Sequence, residues 1–374
     1  MIPFYKHSLN PNKNYLKKTL ASLYLTSGPV CEKIEKILKK RFGKKYCIMT
    51  NSWTNALIAI LKAIKIKKDD EIIIPACTFV ACANVIEMIG GKVIFADIDK
   101  DTKLLNINDC ISKITKKTKI IMPVHLYGNL FNTFELKKRI KNKNIKIIED
   151  CAHTFYGEYN NKKLGYYSDF SVFSFYATKN ITCGEGGAII TNEKNHADKI
   201  RSISNNGMTK PAFKRFQNKK YIPWDVYNFG FKANLSDINA SLLEDQINNY
   251  YKINSKRKKL FKIYKKAFKE IKEVLLPKSY SKIRDYYLFP VGVESKYRDK
   301  LIEFLLKNEI FVTVNFRSIT ELSYYKKKYK NQINNCPESI KWGRETLSLP
   351  FHIKIKLKEI KFIVSKIKEF FEKV

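Results

Sequence analysis

Lys179, which lies between two apolar runs, is the residue of this chain whose sequence context most strongly indicates a reactive side chain. The first run ends at Ser174, Lys179 follows five residues later, and a Gly-Glu-Gly-Gly turn leads into a second, β-branched run. Two strands joined by a glycine-rich loop hold Lys179 on short, constrained backbone. A lysine in such a place can be desolvated, so that its amine can form an imine with a carbonyl compound. A solvated surface lysine is the commoner case, but the flanking pattern favours the reactive one.

Asp150 is a second candidate, because it follows a buried strand predicted from Asn144 to Ile148. A carboxylate at the carboxyl end of a buried parallel strand faces the ligand crevice of an open α/β sheet. Such a carboxylate can keep a proton on the ring nitrogen of a cofactor. Considered without its neighbours, Asp150 is explained equally well as a helix N-cap.

Polar residues also follow two other predicted strands. The strand at 46–50 leads into a helix that opens with Ser52, Thr54 and Asn55. Small polar residues at such a junction can cap the helix and leave its first N–H groups free for a phosphate, although a plain N-cap explains them equally well.

His125, after the strand at 119–124, could be a general base. A structural histidine is commoner, and we favour that role.

The segment from Ser174 to Gly187 carries a resemblance to a known family. Its pattern Ser-Phe-x-x-x-Lys-x-x-x-x-Gly-Glu-Gly-Gly resembles the pyridoxal-phosphate lysine motif of the DegT/DnrJ/EryC1/StrS family. These are nucleotide-sugar aminotransferases with the aspartate aminotransferase-like fold, fold type I. The resemblance extends from about Ile2 to Phe371.

The resemblance implies an α/β fold in two domains. Residues 1–250 would form a large cofactor-binding domain with an N-terminal arm and a mostly parallel seven-stranded sheet, and residues 251–374 a smaller α+β domain. The strands predicted for the sheet are Tyr46–Thr50, Glu71–Pro75, Lys92–Ala96, Lys119–Val124, Asn144–Ile148, the run ending at Ser174 and the run after Gly187.

The C-terminal part shows alternating elements after a long basic helix. Ser348-Leu349-Pro350 resembles a structural turn of the family, so a turn is predicted there. The predicted elements are helices at Asn254–Ile271, Arg298–Lys307 and Leu357–Phe371 and strands at Tyr286–Val291 and Ile310–Val314.

The resemblance implies pyridoxal 5'-phosphate as cofactor and a role for each matching residue. Lys179 would bind the cofactor covalently and then move the proton between the donor's α-carbon and the cofactor. Asp150 would pair with the ring nitrogen. The other implied cofactor-binding residues are Ser52, Thr54, Asn55 and Ser174 for the phosphate, Phe79 against the ring face, His153 for the ring hydroxyl, and Lys232, with Asn234, for the phosphate in the neighbouring subunit.

The resemblance also implies the reaction, an amino transfer from glutamate to a nucleotide-linked keto sugar in amino sugar and polysaccharide biosynthesis. The Gly-Phe-Lys-x-Asn sequence at 230–234 and the opening at 2–5 look more like the 4-aminotransferases, which predicts C4 of a UDP- or dTDP-linked 4-keto-6-deoxyhexose. A 3-keto sugar aminotransferase and a regulatory relative are the alternatives. The dehydratase branch has histidine at the lysine position, and Lys179 argues against it. The segment from Gly230 to Asp237 resembles the part of the family that reaches the neighbouring subunit's cofactor phosphate, and this resemblance implies a homodimer with shared active sites.

The net charge of +36, from 71 basic and 35 acidic residues, permits a nucleic-acid-binding protein as a rival class. The lysines are spread along the whole chain, however, and no nucleic-acid-binding motif accompanies them. Solvated helix faces explain this distribution better. A basic surface would also attract a nucleotide-sugar diphosphate. We therefore predict no nucleic acid as partner.

The eight cysteines are scattered without a Cys-x-x-Cys pair, so neither a zinc site nor a disulfide framework is predicted. A reducing compartment follows from this pattern. The N-terminus shows no signal peptide, and the most apolar stretch, Ile72–Ile89, is interrupted by Pro75, Asn84 and Glu87. This stretch fits a buried strand and helix better than a membrane span. We expect a cytoplasmic enzyme without a membrane partner or a metal.

Overall fold

A seven-stranded sheet occupies the centre of residues 46–191. The computed structural model describes residues 1–10, 14–217, 220–279, 281 and 283–374. The strands are β1 (Tyr46–Thr50), β2 (Glu71–Pro75), β3 (Lys92–Ala96), β4 (Thr118–Ile121), β5 (Lys146–Asp150), β6 (Phe170–Ser174) and β7 (Gly187–Thr191). The order across the sheet is β1-β7-β6-β5-β4-β2-β3, and β7 is antiparallel to both of its neighbours whereas the other neighbouring pairs are parallel. This order confirms the prediction of a mostly parallel α/β sheet.

Helices cover both faces of this sheet, which explains why β2 is apolar along most of its length and buried at every residue. On one face Ile48, Ile72 and Ile189 pack in a core with the helices at 53–64 and 81–89. On the other face Met49 and Ile190 pack with the helix at 29–42. The helices of the N-terminal part are α1 (Tyr15–Leu20), α2 (Pro29–Phe42), α3 (Trp53–Ile64), α4 (Ala81–Ile89), α5 (Ile107–Ser112), α6 (Thr133–Arg139), α7 (Lys194–Ile203), α8 (Asp237–Ser241) and α9 (Glu244–Asn248).

The C-terminal part has its own apolar core around a two-stranded antiparallel sheet, β8 (Phe289–Gly292) with β9 (Thr346–Leu349). The division at residue 250/251 stays a prediction, and helix α10 begins there. The helices of this part are α10 (Tyr250–Ala267), α11 (Ser295–Lys307), α12 (Ser323–Lys328), α13 (Pro337–Glu345) and α14 (Leu357–Glu372). Short 3-10 helices lie at Leu126–Gly128, Ala212–Lys214, Phe268–Glu270, Ile319–Glu321 and Lys330–Asn335, and two-residue strands pair Glu158–Tyr159 with Lys162–Lys163 and Phe216–Gln217 with Lys220–Tyr221.

Two predictions for the C-terminal part are wrong. The segment Ile310–Val314 is not a strand, because it makes only isolated bridges, to Ile2 at one end and to Ser348 at the other. The predicted turn at 348–350 begins inside β9, since β9 rather than 310–314 pairs with β8. No helix in the described part of the chain is both long and apolar enough to cross a membrane.

The strand predicted from Tyr286 begins only at Phe289, and the reason is a set of side-chain hydrogen bonds from α10. The backbone N–H of Tyr286 donates to Asn254 Oδ1, and the carbonyl groups of Tyr286 and Tyr287 accept from Arg257 Nη1. Backbone groups that are satisfied in this way are not available for a strand ladder. Residues 284–288 therefore form an irregular segment that is held against α10.

Candidate active site

A cavity of about 500 Å³ lies at the carboxyl edge of the sheet, where β5 ends at Asp150 and β6 ends at Ser174. Ligands of open α/β sheets bind at this edge. Seven of the ten residues predicted to form the site line the cavity: Ser52, Thr54, Phe79, Asp150, His153, Ser174 and Lys179. Asn55, Lys232 and Asn234 do not line it.

Asp150 is buried at the floor of the cavity with both carboxylate oxygens engaged. Oδ1 accepts a hydrogen bond from the backbone N–H of Ala152 at 2.8 Å, and Oδ2 accepts one from the thiol of Cys82 at 3.5 Å. Burial raises the pKa of Asp150, and the bond from Ala152 and the charge of Lys179 oppose this rise. A buried carboxylate in this position is suited to pair with a cationic ring nitrogen. No pattern in the sequence indicates the contact with Cys82, which lies 68 residues before Asp150.

Lys179 lies in the loop between β6 and β7, half-buried, with its amine above an aromatic ring. Nζ is 4.9 Å from the centre of the Tyr287 ring. The Tyr287 hydroxyl is 3.1 Å from Thr178 Oγ1, so this tyrosine contacts both Lys179 and the residue before it. Sequence reasoning missed Tyr287, because it lies more than 100 residues from the lysine motif.

His153 is buried beside Tyr287, with 4.6 Å between the ring centres. Its Nδ1 accepts a hydrogen bond from the backbone N–H of Tyr127 at 3.2 Å. Burial and the charge of Lys179 lower the pKa of His153 well below its usual range. The ring is therefore neutral and carries its proton on Nε2, which can donate to an oxygen such as a ring hydroxyl.

The opposite end of the cavity is built from hydroxyl groups at the beginning of α3. Ser52 caps α3 by accepting from the backbone N–H of Asn55 at 3.1 Å. The carbonyl carbon of Ser52 approaches Gly187 so closely that a Cβ on the glycine would lie 2.7 Å from it. Gly187 pairs with Ser174 across β6 and β7, so this approach brings the turn at Ser52 next to Ser174. Hydroxyls at the N-terminus of a twelve-residue helix fit a phosphate group.

Aromatic rings cover the cavity. Phe79, predicted to stack on the cofactor ring, is 55% exposed and lies 5.6 Å from Phe316 between ring centres. Asn315 and Phe316 also line the cavity, whereas the next residue, Arg317, does not. Two buried polar atoms of its lining residues, Trp53 Nε1 and Asn315 Oδ1, have no hydrogen-bond partner in the described part of the chain. Together with the floor and the hydroxyl end, these features fit pyridoxal phosphate.

The remaining three candidates lie outside this cavity. The side chain of Asn55 donates to Asn51 Oδ1 at 2.7 Å. Lys232 is exposed, and Asn234 contacts Ser27 and lines a separate cavity of about 360 Å³ between α2 and α7. The roles of Lys232 and Asn234 in the neighbouring subunit stay predictions.

Glu149, next to Asp150, is the centre of a buried hydrogen-bonded cluster. It accepts from the hydroxyls of Thr133, Ser168 and Ser171. His125 Nδ1 accepts from the N–H of Phe131, so its proton is on Nε2, 3.6 Å from Glu149 Oε1. The position of His125 agrees with the structural role that the sequence favoured. Cys151 completes a group that could hold a metal, but the bonds to Glu149 and a thiol pKa that burial raises favour a hydrogen-bonded network.

We expect the substitution Glu149→Gln to destabilise the protein by about 3 kcal/mol at pH 7. Burial opposes ionisation of Glu149, but the interaction with the Nε2–H of His125 and the hydrogen bonds from Thr133 and Ser168 outweigh it and lower the pKa from 4.5 to about 2. The carboxylate therefore stabilises the fold fully above pH 4.5, and this contribution is lost as the pH falls towards 2. Urea denaturation at several pH values, at fixed protein concentration, measures it.

The control for this prediction is Glu309→Gln, which changes an exposed carboxylate. The stability difference between Glu149→Gln and the unaltered protein should shrink below pH 4.5, and that for Glu309→Gln should stay close to zero. A difference for Glu149→Gln that is the same at pH 3.5 and pH 7 would contradict the assignment of the stabilising charge.

Comparison with known proteins finds one family along almost the whole chain. Residues 9–368 match the model of the DegT/DnrJ/EryC1/StrS aminotransferase family. The spore coat polysaccharide biosynthesis protein SpsC of Bacillus subtilis is 32% identical over 342 residues, which are 90% of this chain and 88% of that protein.

Two solved structures agree with the fold over 100% of both chains. One is a protein of Streptococcus pneumoniae assigned as a sugar aminotransferase, in its PMP form, with 26% identity and a TM-score of 0.92. The same protein is known in a PLP form. The other is PseC of Helicobacter pylori, an aminotransferase involved in the biosynthesis of pseudoaminic acid, with 25% identity and a TM-score of 0.91.

Proposed function

Since this chain belongs to the DegT/DnrJ/EryC1/StrS aminotransferase family, we propose that it transfers an amino group from glutamate to C4 of a nucleotide-linked keto sugar. It is a sugar aminotransferase of fold type I, and pyridoxal phosphate is its cofactor. The observation that carries the proposal is the cavity that brings Lys179, Asp150 and Ser174 together at the edge of the sheet. Its volume of about 500 Å³ falls in the usual range for small-molecule sites.

Lys179 and Asp150 would perform the proton chemistry. The bound cofactor supplies a ring that stabilises negative charge on the carbon that carries the amino group. The amine of Lys179 would hold the cofactor through its aldehyde group and would act as the base that moves the proton at the donor's α-carbon. Asp150 keeps the ring nitrogen protonated, because a buried carboxylate stabilises a cation at hydrogen-bond distance.

The other lining residues would bind and orient the cofactor. The hydroxyls of Ser52, Thr54 and Ser174, with the N-terminus of α3, bind the phosphate. His153 would donate from Nε2 to the ring hydroxyl, and Phe79 would cover one face of the ring. His153 contacts the Tyr287 ring and Phe79 contacts the Phe316 ring, and these contacts would help to orient the two side chains towards the cofactor.

The sequence at 230–234 and the opening at 2–5 favour a 4-keto-6-deoxyhexose linked to UDP or dTDP, and the net charge of +36 suits a diphosphate. The names of SpsC and PseC support a role in amino sugar and polysaccharide biosynthesis. A C3 ketone is the alternative substrate within the family.

We further propose that the enzyme works in the cytoplasm, because its eight cysteines are free and buried.

A matched set of keto sugars tests this proposal. UDP- and dTDP-linked sugars with the ketone at C4 or at C3 are incubated with the enzyme, pyridoxal phosphate and glutamate. Mass spectrometry and NMR then identify the products. We expect a 4-amino sugar and 2-oxoglutarate in equal amounts. Turnover of only the C3 ketones would contradict the regiochemistry, and no turnover with tight, salt-sensitive binding to DNA or RNA would favour the rival class.

We propose that the active enzyme is a homodimer with shared active sites. The stretch before Gly230 exposes large apolar side chains in this chain, which is typical of a protein interface. They are Tyr221, Trp224, Val226, Tyr227 and Phe229. Lys232 and Asn234 follow directly and would reach the cofactor phosphate of the partner.

We expect Lys232→Ala to weaken the binding of pyridoxal phosphate about tenfold, because one charge-assisted hydrogen bond to the phosphate is lost. Equilibrium titration of the apoenzyme measures the affinity, and sedimentation measures the oligomeric state. Lys40→Ala, at an exposed lysine of α2, is the control and should leave the affinity unchanged. A fully active monomer would contradict the shared site.

A further inference from the structure

The loop that carries Lys179 is attached to a segment more than 100 residues further along the chain. Asn180 Nδ2 donates to Asp285 Oδ1 at 2.7 Å, and Thr178 Oγ1 lies 3.1 Å from the Tyr287 hydroxyl. The residues immediately before and after Lys179 are therefore both hydrogen-bonded to the segment 285–287. The Tyr287 ring also lies 4.9 Å from Lys179 Nζ.

Asp285 is the centre of this attachment. It is fully buried, and each carboxylate oxygen accepts two hydrogen bonds. Oδ1 accepts from Asn180 and from the N–H of Tyr286, and Oδ2 accepts from the N–H of Phe155 and the hydroxyl of Tyr250. An ionised carboxylate only accepts hydrogen bonds, so four donors suit it and would not suit an amide. Loss of this acceptor leaves buried donors without partners, and each such donor destabilises the folded protein.

One face of α10 holds the segment in place. Tyr250, Asn254 and Arg257 are spaced by four and three residues, so that they lie on the same face of the helix. Tyr250 bonds Asp285, Asn254 bonds the backbone at Arg284 and Tyr286, and Arg257 bonds the carbonyls of Tyr286 and Tyr287. Helix α10 thus fixes the segment, and the segment fixes the lysine loop.

We propose that Asp285 is a positioning residue, which sets the location of the Lys179 amine through Asn180. Asp285 does not line the cavity, and its effect on the reaction passes through the loop. An amine on a loop must reach both the cofactor aldehyde and the α-carbon proton of the donor, and a displacement of about 1 Å can cost up to 10²-fold in rate. This inference rests on the role of Lys179 in the proposed function.

Two variants test the attachment. Asn180→Ala removes the link and leaves Asp285 with its three other donors, and Asp285→Asn places an amide among donors. In both we expect covalent attachment of pyridoxal phosphate to the apoenzyme to become about tenfold slower. The visible circular dichroism of the bound cofactor should weaken, because it reports the orientation of the cofactor. In the half-reaction with glutamate, kcat should fall about tenfold with KM changed less than about twofold.

The control is Asp97→Asn, because Asp97 is also a buried carboxylate, and it accepts bonds from Glu338 and Ser339 without a contact to the lysine loop. This variant should lose stability and keep the attachment rate and the dichroism. If Asp285→Asn fails to fold, Asn180→Ala decides. Where both single variants fold, the variant that carries both substitutions should attach the cofactor no more slowly than Asp285→Asn alone. Both substitutions break the same link between Asn180 and Asp285, so their effects should not add.

Unchanged attachment and dichroism in Asn180→Ala, or a double variant slowed by the product of the two single effects, would overturn the inference. The attachment measurement needs neither glutamate nor a sugar. Slow attachment in these variants, with an unaltered enzyme that turns over no keto sugar, would support the positioning role and contradict only the proposed substrate.

Discussion

Replacing Lys179 by alanine is expected to lower turnover by roughly 10⁴-fold or more, because the variant loses both the covalent link to the cofactor and the group that moves the proton. The fold should tolerate the change. The lysine is half-buried at a cavity wall, and its contact with the Tyr287 ring contributes at most about 1 kcal/mol at such a site. Steady-state turnover of glutamate and keto sugar measures the loss, and thermal unfolding measures the stability.

Lys40→Ala is the control for this prediction as well, since Lys40 is exposed and does not line the cavity. It should keep full turnover. A Lys179→Ala enzyme that retains more than about a tenth of the activity would contradict the assignment.

Replacing Asp150 by asparagine should lower kcat by about 10²–10³-fold. The amide can still accept the hydrogen bond from Ala152, so the geometry of the turn is kept, but the negative charge beside the ring nitrogen is lost. The cofactor then withdraws electrons less strongly. Single-turnover kinetics with glutamate isolate this step, and the absorption spectrum of the bound cofactor should show a ring nitrogen without its proton.

The matched control is Asp97→Asn, a buried carboxylate that does not line the cavity. It should change neither the spectrum nor the single-turnover rate. An Asp150→Asn variant with the spectrum and the rate of the unaltered enzyme would contradict the role of Asp150.

The sheet could be predicted from the sequence because each strand is a short apolar run with turn residues at its end. Parallel strands end at one edge, and this explains why Ser52, Asp150 and Ser174 meet although up to 122 positions separate them. The lysine motif then indicated the chemistry. The local sequence pattern is therefore sufficient to predict the position of a site residue that directly follows a strand.

Other parts of the site depend on contacts that no local pattern indicates. Tyr287 and Asp285 reach the lysine loop only because α10 holds an irregular segment against it. Cys82 meets Asp150 across the sheet edge. The apolar residues at 310–314 resemble a strand, but β9 takes the place beside β8. In each case tertiary packing determines the structure, because the local sequence is compatible with more than one conformation or contact.

The most direct test of the account is the site of covalent attachment. The native enzyme is incubated with pyridoxal phosphate, reduced with sodium borohydride and digested, and the peptides that carry the cofactor are identified by mass spectrometry. We predict that the label is found on Lys179 alone, although the chain contains 62 lysines. A label on another lysine, or none at all in a folded protein, would contradict the central claim.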